Sequence, residues 1–388
     1  MNKFIPLSEP NIGKEEIEAV SKTLKSGWVS SAGPDIPKFE KRCASYLGAK
    51  YAVACSNGTA ALQLSLHALG VKDGHDILLP SLSFIATANA ISYTRATPIF
   101  LDISEKTLCL DLSKAKYFIK KHYKFIKGSY VNKVTGNILF GILPVDMLGS
   151  CVDRNELAHF CNEFQIKAVI DSAEAFGSKY KQKKLGSYNF LTCFSFNGNK
   201  ILTTGGGGLI TTNNAKLAKK IRHLATTAKT NTTTFFHNEI GYNYRLVNLL
   251  ASLGLAQLKK IDSFLKHKKI VFTFYLNLEK KYPELTVFQP PSFIQSNYWL
   301  NLIQFSFMKD NKDVLKLVKF FEDHDIQCRP FWMPIHMLPM YCACQRDELS
   351  VSENLWNKSV MFPSSSNLSV SSLKRIEKVL SQYLKTIY

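Results

Sequence analysis

The 388-residue chain is short of acid: 30 aspartates and glutamates stand against 49 lysines and arginines, a formal net charge of +19 at pH 7. It also lacks any long apolar run. The opening MNKFIPLSEPNIGKEEIEAV carries a proline and charges where a secretion signal needs an apolar core. No later stretch approaches the roughly 18 apolar residues of a membrane span. A cytoplasmic protein with no membrane span is expected. The nine cysteines are an odd number, scattered, with no Cys-x-x-Cys pair, which argues against a disulfide framework and a zinc ribbon. No metal ligands are expected. Even the closest pair, Cys342 and Cys344, reads as buried or incidental thiols suited to a reducing compartment.

The excess of positive charge raises nucleic acid as a partner, because lysine-rich surfaces attract phosphate backbones. The strongest candidate is KAKYFIKKHYKFIK, residues 114–127. Its apolar positions Ala115, Phe118, Ile119, Phe125 and Ile126, with His122, recur at helical spacing and leave the lysines on the opposite face. A solvated helix explains the segment, and no nucleic-acid partner is expected. The charge suits an anionic small substrate instead.

What is present is a core. With 46% hydrophobic residues the chain is long enough for a large domain and a smaller one. Short runs rich in strand formers recur as YAVAC from 51, ILLP from 77, PIFL from 98, GILPV from 141, IKAVID from 166, FLTCFSF from 190 and GLITT from 208. Amphipathic segments such as ALQLSLHALG and DRNELAHFCNEF lie between them. The alternation predicts an α/β fold with a mainly parallel central sheet flanked by helices, and ligands beyond the carboxyl ends of the strands. After GLITT the pattern turns helical, and past about residue 260 strands become sparser, with WLNLIQFSF the clearest. The reading is a large domain over residues 1–255 and a small C-terminal α+β domain over 256–388.

Three segments carry chemistry. YAVAC leads through SNGTAALQLSLHALG, where Asn57 is a good helix cap and Gly58 and Thr59 open a helix. A strand feeding a helix in this way presents free N–H groups and a positive dipole end to an anion. In IKAVIDSAEAFGS, Asp171 ends an apolar strand, where an ionised carboxylate needs a partner, either structural or a protonated ring nitrogen. In FSFNGNKILTTGGGG, Lys200 follows Ser195 and precedes four glycines. A lysine that sheds its proton near neutral pH bonds covalently to carbonyls. Together the three segments match the needs of pyridoxal 5′-phosphate (PLP): a phosphate to anchor, a ring nitrogen to keep protonated and an aldehyde to hold. Phe84 in LPSLSFIATANA is either a stacking face for the ring or a core residue. The glycines predict backbone passing close to cofactor and substrate.

In these segments the chain resembles the DegT/DnrJ/StrS family of nucleotide-sugar aminotransferases, within the fold-type I PLP-dependent transferases. The likeness extends to GWVSSAGPDIPKFE, PVDMLG, GYNYRLVNLLASLGLAQL, RPFWMPIHMLPMY and FPSSSNLS, and so covers nearly the whole chain. It implies that Lys200 carries the cofactor, cycling between PLP and pyridoxamine phosphate, and that Asp171 partners the pyridine nitrogen. Gly58, Thr59 and Ser195 match phosphate contacts, and Phe84 matches the stacking aromatic. Asn243 matches an asparagine donated to the neighbouring subunit's cofactor, which implies a homodimer with a shared active site. Ser30, Arg245 and His336 are candidates for holding the sugar nucleotide.

Three departures stand out. Glu174 replaces a common glutamine near the ring hydroxyl, Asp146 replaces a common histidine, and GGGG replaces GEGG. Glu174 with SFNGNKILTTGGGG and GWVSSAG is similar to the subgroup that aminates UDP-4-keto-6-deoxy-N-acetylhexosamines, with L-glutamate as the implied donor, for surface-glycan or nonulosonic-acid synthesis. A different nucleotide or a C3 ketone is the alternative. Dehydratases of the family have histidine in place of the lysine, so Lys200 counts against that activity. A non-catalytic basic binding or regulatory protein on the same fold is the remote alternative.

Overall fold

The computed structural model describes residues 4–231 and 233–387. After helices α1 (Lys14–Lys25) and α2 (Asp35–Leu47), strands and helices alternate: β1 (Tyr51–Cys55), α3 (Gly58–Leu69), β2 (His75–Pro80), α4 (Ala86–Ser92) and β3 (Thr97–Leu101). Then come α5 (Leu112–His122), the hairpin of β4 (Tyr123–Ile126) and β5 (Ser129–Asn132), β6 (Ile138–Ile142), α6 (Arg154–Phe164) and β7 (Lys167–Asp171). Two further strands, Leu191–Ser195 and Gly208–Thr212, complete the main sheet before α7 (Ala215–Ala225).

From one edge the sheet runs β1, Gly208–Thr212, Leu191–Ser195, β7, β6, β2, β3. Leu191–Ser195, β7, β6, β2 and β3 are parallel, as the alternating pattern predicts. Gly208–Thr212 runs against its two neighbours, β1 and Leu191–Ser195, and β5, off this path, runs against β4 and β6. The carboxyl ends of β1, β2, β7 and Leu191–Ser195 therefore emerge on one side. Helices cover both faces, over two apolar clusters. One contains Val53, Leu64, Ile77, Val169 and Ile210, and the other Phe39, Ala54, Phe194, Phe196 and Leu209.

Helix α8 (Asn248–Lys281) crosses the 255/256 junction without a break. Beyond it, strands Leu285–Val287, Asn301–Phe305, Ser359–Phe362 and Arg329–Pro330 form an antiparallel sheet packed by helices Asn311–Glu322 and Val370–Leu384. Ile5, near the opposite end of the chain, joins this second core and bridges to Ile326.

The basic segment 114–127 departs from the helical expectation. The helix stops at His122 and the chain turns into β4, leaving Phe125 and Ile126 exposed rather than on an apolar helix face. Their spacing was compatible with either structure; the pairing of β4 with β5 decides it. Seven of the nine cysteines are buried, Cys342 is exposed, and all are free. Among the described residues no helix is long and apolar enough to cross a membrane.

Candidate active site

A cavity of about 300 Å³ opens where the parallel strands end. β1 passes through Ser56 and Asn57 into α3, and the Asn57 side chain caps that helix by accepting from the Ala60 N–H at 2.8 Å. Helix geometry leaves the N–H groups of Gly58 and Thr59 without partners inside the helix, facing the cavity with the positive end of the dipole. Ser195, at the end of its strand, stands beside them. A Cβ on Gly58 would lie 3.0 Å from the Ser195 Cβ, so only glycine leaves this cradle open. The Ser195 hydroxyl accepts a long bond from the Asn197 N–H at 3.4 Å and keeps its own proton to donate.

Asp171 ends β7 on the same floor and is 5% exposed. Its carboxylate accepts from the Thr87 hydroxyl at 2.7 Å and from the Ala173 N–H at 3.0 Å. Burial pushes its carboxyl above the ordinary range against those donors. A cation set against it would reverse that cost. Glu174, also buried, accepts from the Leu148 N–H at 2.8 Å. Burial raises it to about 7, opposed chiefly by Lys200. Lys200 lies in the turn after Leu191–Ser195, and its ammonium sits 3.6 Å from the centre of the Trp299 ring. Burial lowers its proton affinity, while Glu174 and Asp171 pull the other way. Phe84 is 55% exposed on the cavity wall, an apolar face with room against it.

The donor set fits PLP. The N–H groups of Gly58 and Thr59 with the Ser195 hydroxyl suit a phosphate, Asp171 suits a protonated pyridine, Lys200 suits the aldehyde, and Phe84 offers a face to the ring.

The chain matches the model of the DegT/DnrJ/EryC1/StrS aminotransferase family over residues 10–381. It belongs to that family. It is 33% identical to the GDP-perosamine synthase of Escherichia coli O157:H7, covering 95% of each chain. It is 32% identical to the GDP-perosamine synthase of Caulobacter vibrioides, covering 98% of each. Among solved structures, it superposes on Helicobacter pylori PseC, an aminotransferase involved in pseudoaminic acid biosynthesis. That match has a TM-score of 0.88 at 24% identity and covers 99% of this chain and 100% of that one. As a DegT/DnrJ/EryC1/StrS protein it is a PLP-dependent nucleotide-sugar aminotransferase on the fold-type I scaffold, with a nucleotide sugar and an amino donor as substrates.

Within this DegT-family chain, Gly58, Thr59, Phe84, Asp171, Glu174, Ser195 and Lys200 line one cavity, and Ser30, Asn243, Arg245 and His336 do not. Ser30 is exposed, and its carbonyl accepts from the Asn248 N–H at 2.8 Å. Asn243 is exposed, paired through its backbone with Thr226, and Arg245 is paired in the same way with Cys55. His336 is 6% exposed, with Nδ1 2.6 Å from the Ser81 hydroxyl and Nε2 3.2 Å from Glu353. In this chain the imidazole braces Ser81, the residue that follows β2.

Protein packing already requires two of the four glycines. A Cβ on Gly208 would lie 2.3 Å from the Asn57 carbonyl oxygen, and one on Gly207 would lie 2.3 Å from the Thr204 hydroxyl. Gly205 has φ +82°, which favours glycine. A Cβ on Gly205 would meet nothing within 4 Å and one on Gly206 only the Ser56 carbonyl oxygen at 4.0 Å, and Gly206 and Gly207 line the cavity.

Asp146 does not reach the cavity. It is fully buried in an ion pair with Arg154 and accepts from the Ser172 hydroxyl. Two residues escaped the sequence reading. Thr87 sits in a quoted segment, but only the fold aims its hydroxyl at Asp171. Trp299 was read simply as the start of a strand.

Proposed function

We propose that the chain transfers an amino group, with L-glutamate as donor, to the C4 ketone of a UDP-linked 4-keto-6-deoxy-N-acetylhexosamine. The observation that carries this reading is the meeting of phosphate cradle, Asp171, Glu174 and Lys200 in one cavity, in a chain matched by the family model over residues 10–381. The likeness to GDP-perosamine synthases favours a second reading in which the nucleotide is GDP.

Bound PLP supplies an aldehyde and an electron-accepting ring. The N–H groups of Gly58 and Thr59 and the Ser195 hydroxyl hold its phosphate. Asp171, fixed by Thr87 and Ala173, keeps a proton on the ring nitrogen through a charge-assisted hydrogen bond. Lys200 holds the cofactor covalently at rest. Freed from that bond, its amine would serve as the base that takes the proton from the donor's α-carbon and as the acid that gives it back on the cofactor side of the new C–N bond, general acid–base work worth roughly 10²–10⁴-fold. On the sugar the same amine moves protons in reverse order. Glu174, anchored by the Leu148 N–H, keeps a carboxyl oxygen for the ring hydroxyl.

The working form in this reading is a cytoplasmic homodimer, in which Asn243 of the partner subunit completes the phosphate site. In support, Asn243 is exposed, and Phe235, Phe236 and Ile240 nearby are 66%, 59% and 83% exposed, an apolar surface suited to a second copy. The test is incubation with L-glutamate and a panel of UDP- and GDP-linked 4-keto and 3-keto sugars, followed by mass spectrometry. Amination of the UDP-linked 4-keto-N-acetyl sugar alone is expected. Turnover of only 3-keto sugars overturns the C4 assignment, and turnover of only GDP sugars selects the second reading.

A further inference from the structure

Trp299 is 2% exposed and held at three points. Its backbone N–H donates to Asn297 Oδ1 at 3.0 Å, its indole Nε1–H donates to the Asn199 carbonyl at 2.7 Å, and its own carbonyl accepts from Lys268 Nζ at 2.8 Å. Each tether leads somewhere relevant. Asn199 immediately precedes Lys200. Asn297, fully buried, donates to the Glu174 carbonyl at 2.8 Å and the Phe176 carbonyl at 3.0 Å, gripping the segment that follows Asp171. Lys268 is 2% exposed in the middle of α8, and burial brings it down to about 7. A buried amine placed on one backbone carbonyl is a costly way to hold a strand end unless the position of that strand end matters.

The position it fixes is that of the indole under Lys200. The 3.6 Å separation of ammonium and ring centre is the shortest lysine–ring approach among the described residues; the next is 4.2 Å, between Lys184 and Tyr46. An indole is the best of the aromatic faces for a cation. We propose that the Trp299 face is the docking place of the protonated Lys200 amine, holding it beside the cofactor between its two proton transfers. Asn297 and Lys268 act as positioning residues for the indole. The catalytic use of this dock rests on the aminotransferase reading; the dock itself does not.

The charged groups that face Lys200 are Asp171 and Glu174, and Lys268 lies on the far side of Trp299, at its carbonyl. The test therefore isolates the indole. The full-length chain, freed of cofactor, is treated with formaldehyde and a reductant across a pH series, and Lys200 methylation is read by peptide mass spectrometry. Trp299→Met, which keeps an apolar side chain but has no π face, is expected to move the labelling midpoint to lower pH and to raise labelling at pH 7 about fivefold. Trp299→Phe, with a weaker face, should fall between Met and wild type, and carries the test alone if the methionine variant does not fold. Lys268→Met, which frees the Trp299 carbonyl, should shift the midpoint in the same direction by less. An unchanged midpoint in a folded Trp299 variant overturns the proposal. A wild-type chain that shows the shift on substitution but takes up no PLP would instead overturn the aminotransferase reading.

Discussion

At the residue scale the site depends on charges taken out of water and then paired. Asp146 and Arg154 are the extreme case, both with fully buried side chains. Among the described residues, Arg154 Nε and Nη1 and Asp146 Oδ1 have no hydrogen-bond partner. The pair lies directly behind the cavity floor: the Asp146 N–H donates to the Asp171 carbonyl at 2.8 Å, and Ser172 donates to the Asp146 carboxylate. Arg154→Met alone should destabilise the protein by about 3–5 kcal/mol, because it leaves Asp146 charged and uncompensated. The double variant Asp146→Asn, Arg154→Met should recover most of that loss in urea melts. Full additivity of the two single changes would contradict a paired role. The histidine-to-aspartate departure thus belongs to the support beneath Asp171, and sequence reading could not place it, because its partner is eight residues away on a helix that also reads as amphipathic.

At the scale of elements, the β1–α3 turn and the glycine run meet at one sheet edge, where Gly208 pairs with both Cys55 and Ser195. This crowding is packing of protein on protein. Gly208→Ala should cost about 1–3 kcal/mol through overpacking against the Asn57 carbonyl, whereas Gly206→Ala should leave the melting temperature unchanged. Thermal melts of the two cofactor-free variants separate these effects, and equal losses would contradict the assignment. The elements themselves were largely legible. The apolar runs read as strands in the first 212 residues are strands, because buried strands need continuous apolar stretches, except that GILPV enters β6 with Gly141 and Ile142 alone. The antiparallel entry of Gly208–Thr212 was not legible, since direction leaves no mark on side-chain pattern. Nor was the end of α5 at His122, where helical and extended periods overlapped.

At the scale of the molecule, Lys200, Asp171, Glu174, Ser195, Gly58, Thr59 and Phe84 converge within one chain, and the motifs quoted from the sequence already contained all seven. Ser30, Asn243 and Arg245 lie outside that cavity, Ser30 and Asn243 exposed and Arg245 partly buried, and the proposal gives Asn243 a place in a site shared between subunits. In a dimer built this way, Lys200→Ala and Asn243→Ala damage different halves of each site. Each variant alone should be inactive or severely impaired. After unfolding and refolding as an equal mixture, half the dimers should be mixed, each with one intact site, so activity should return to about a quarter of wild type. No recovery in a dimeric mixture would place Asn243 and Lys200 in the same half-site.

Lys200 is the residue on which cofactor attachment turns. Purified protein should be incubated with PLP, reduced with borohydride and digested, beside a Lys200→Ala variant treated identically. The expected result is a single pyridoxyl adduct on the peptide containing Lys200, a visible absorbance band before reduction that L-glutamate removes, and neither in the variant. An adduct on another lysine, or none in a folded protein given excess PLP, would contradict the assignment of Lys200 as the residue that carries the cofactor.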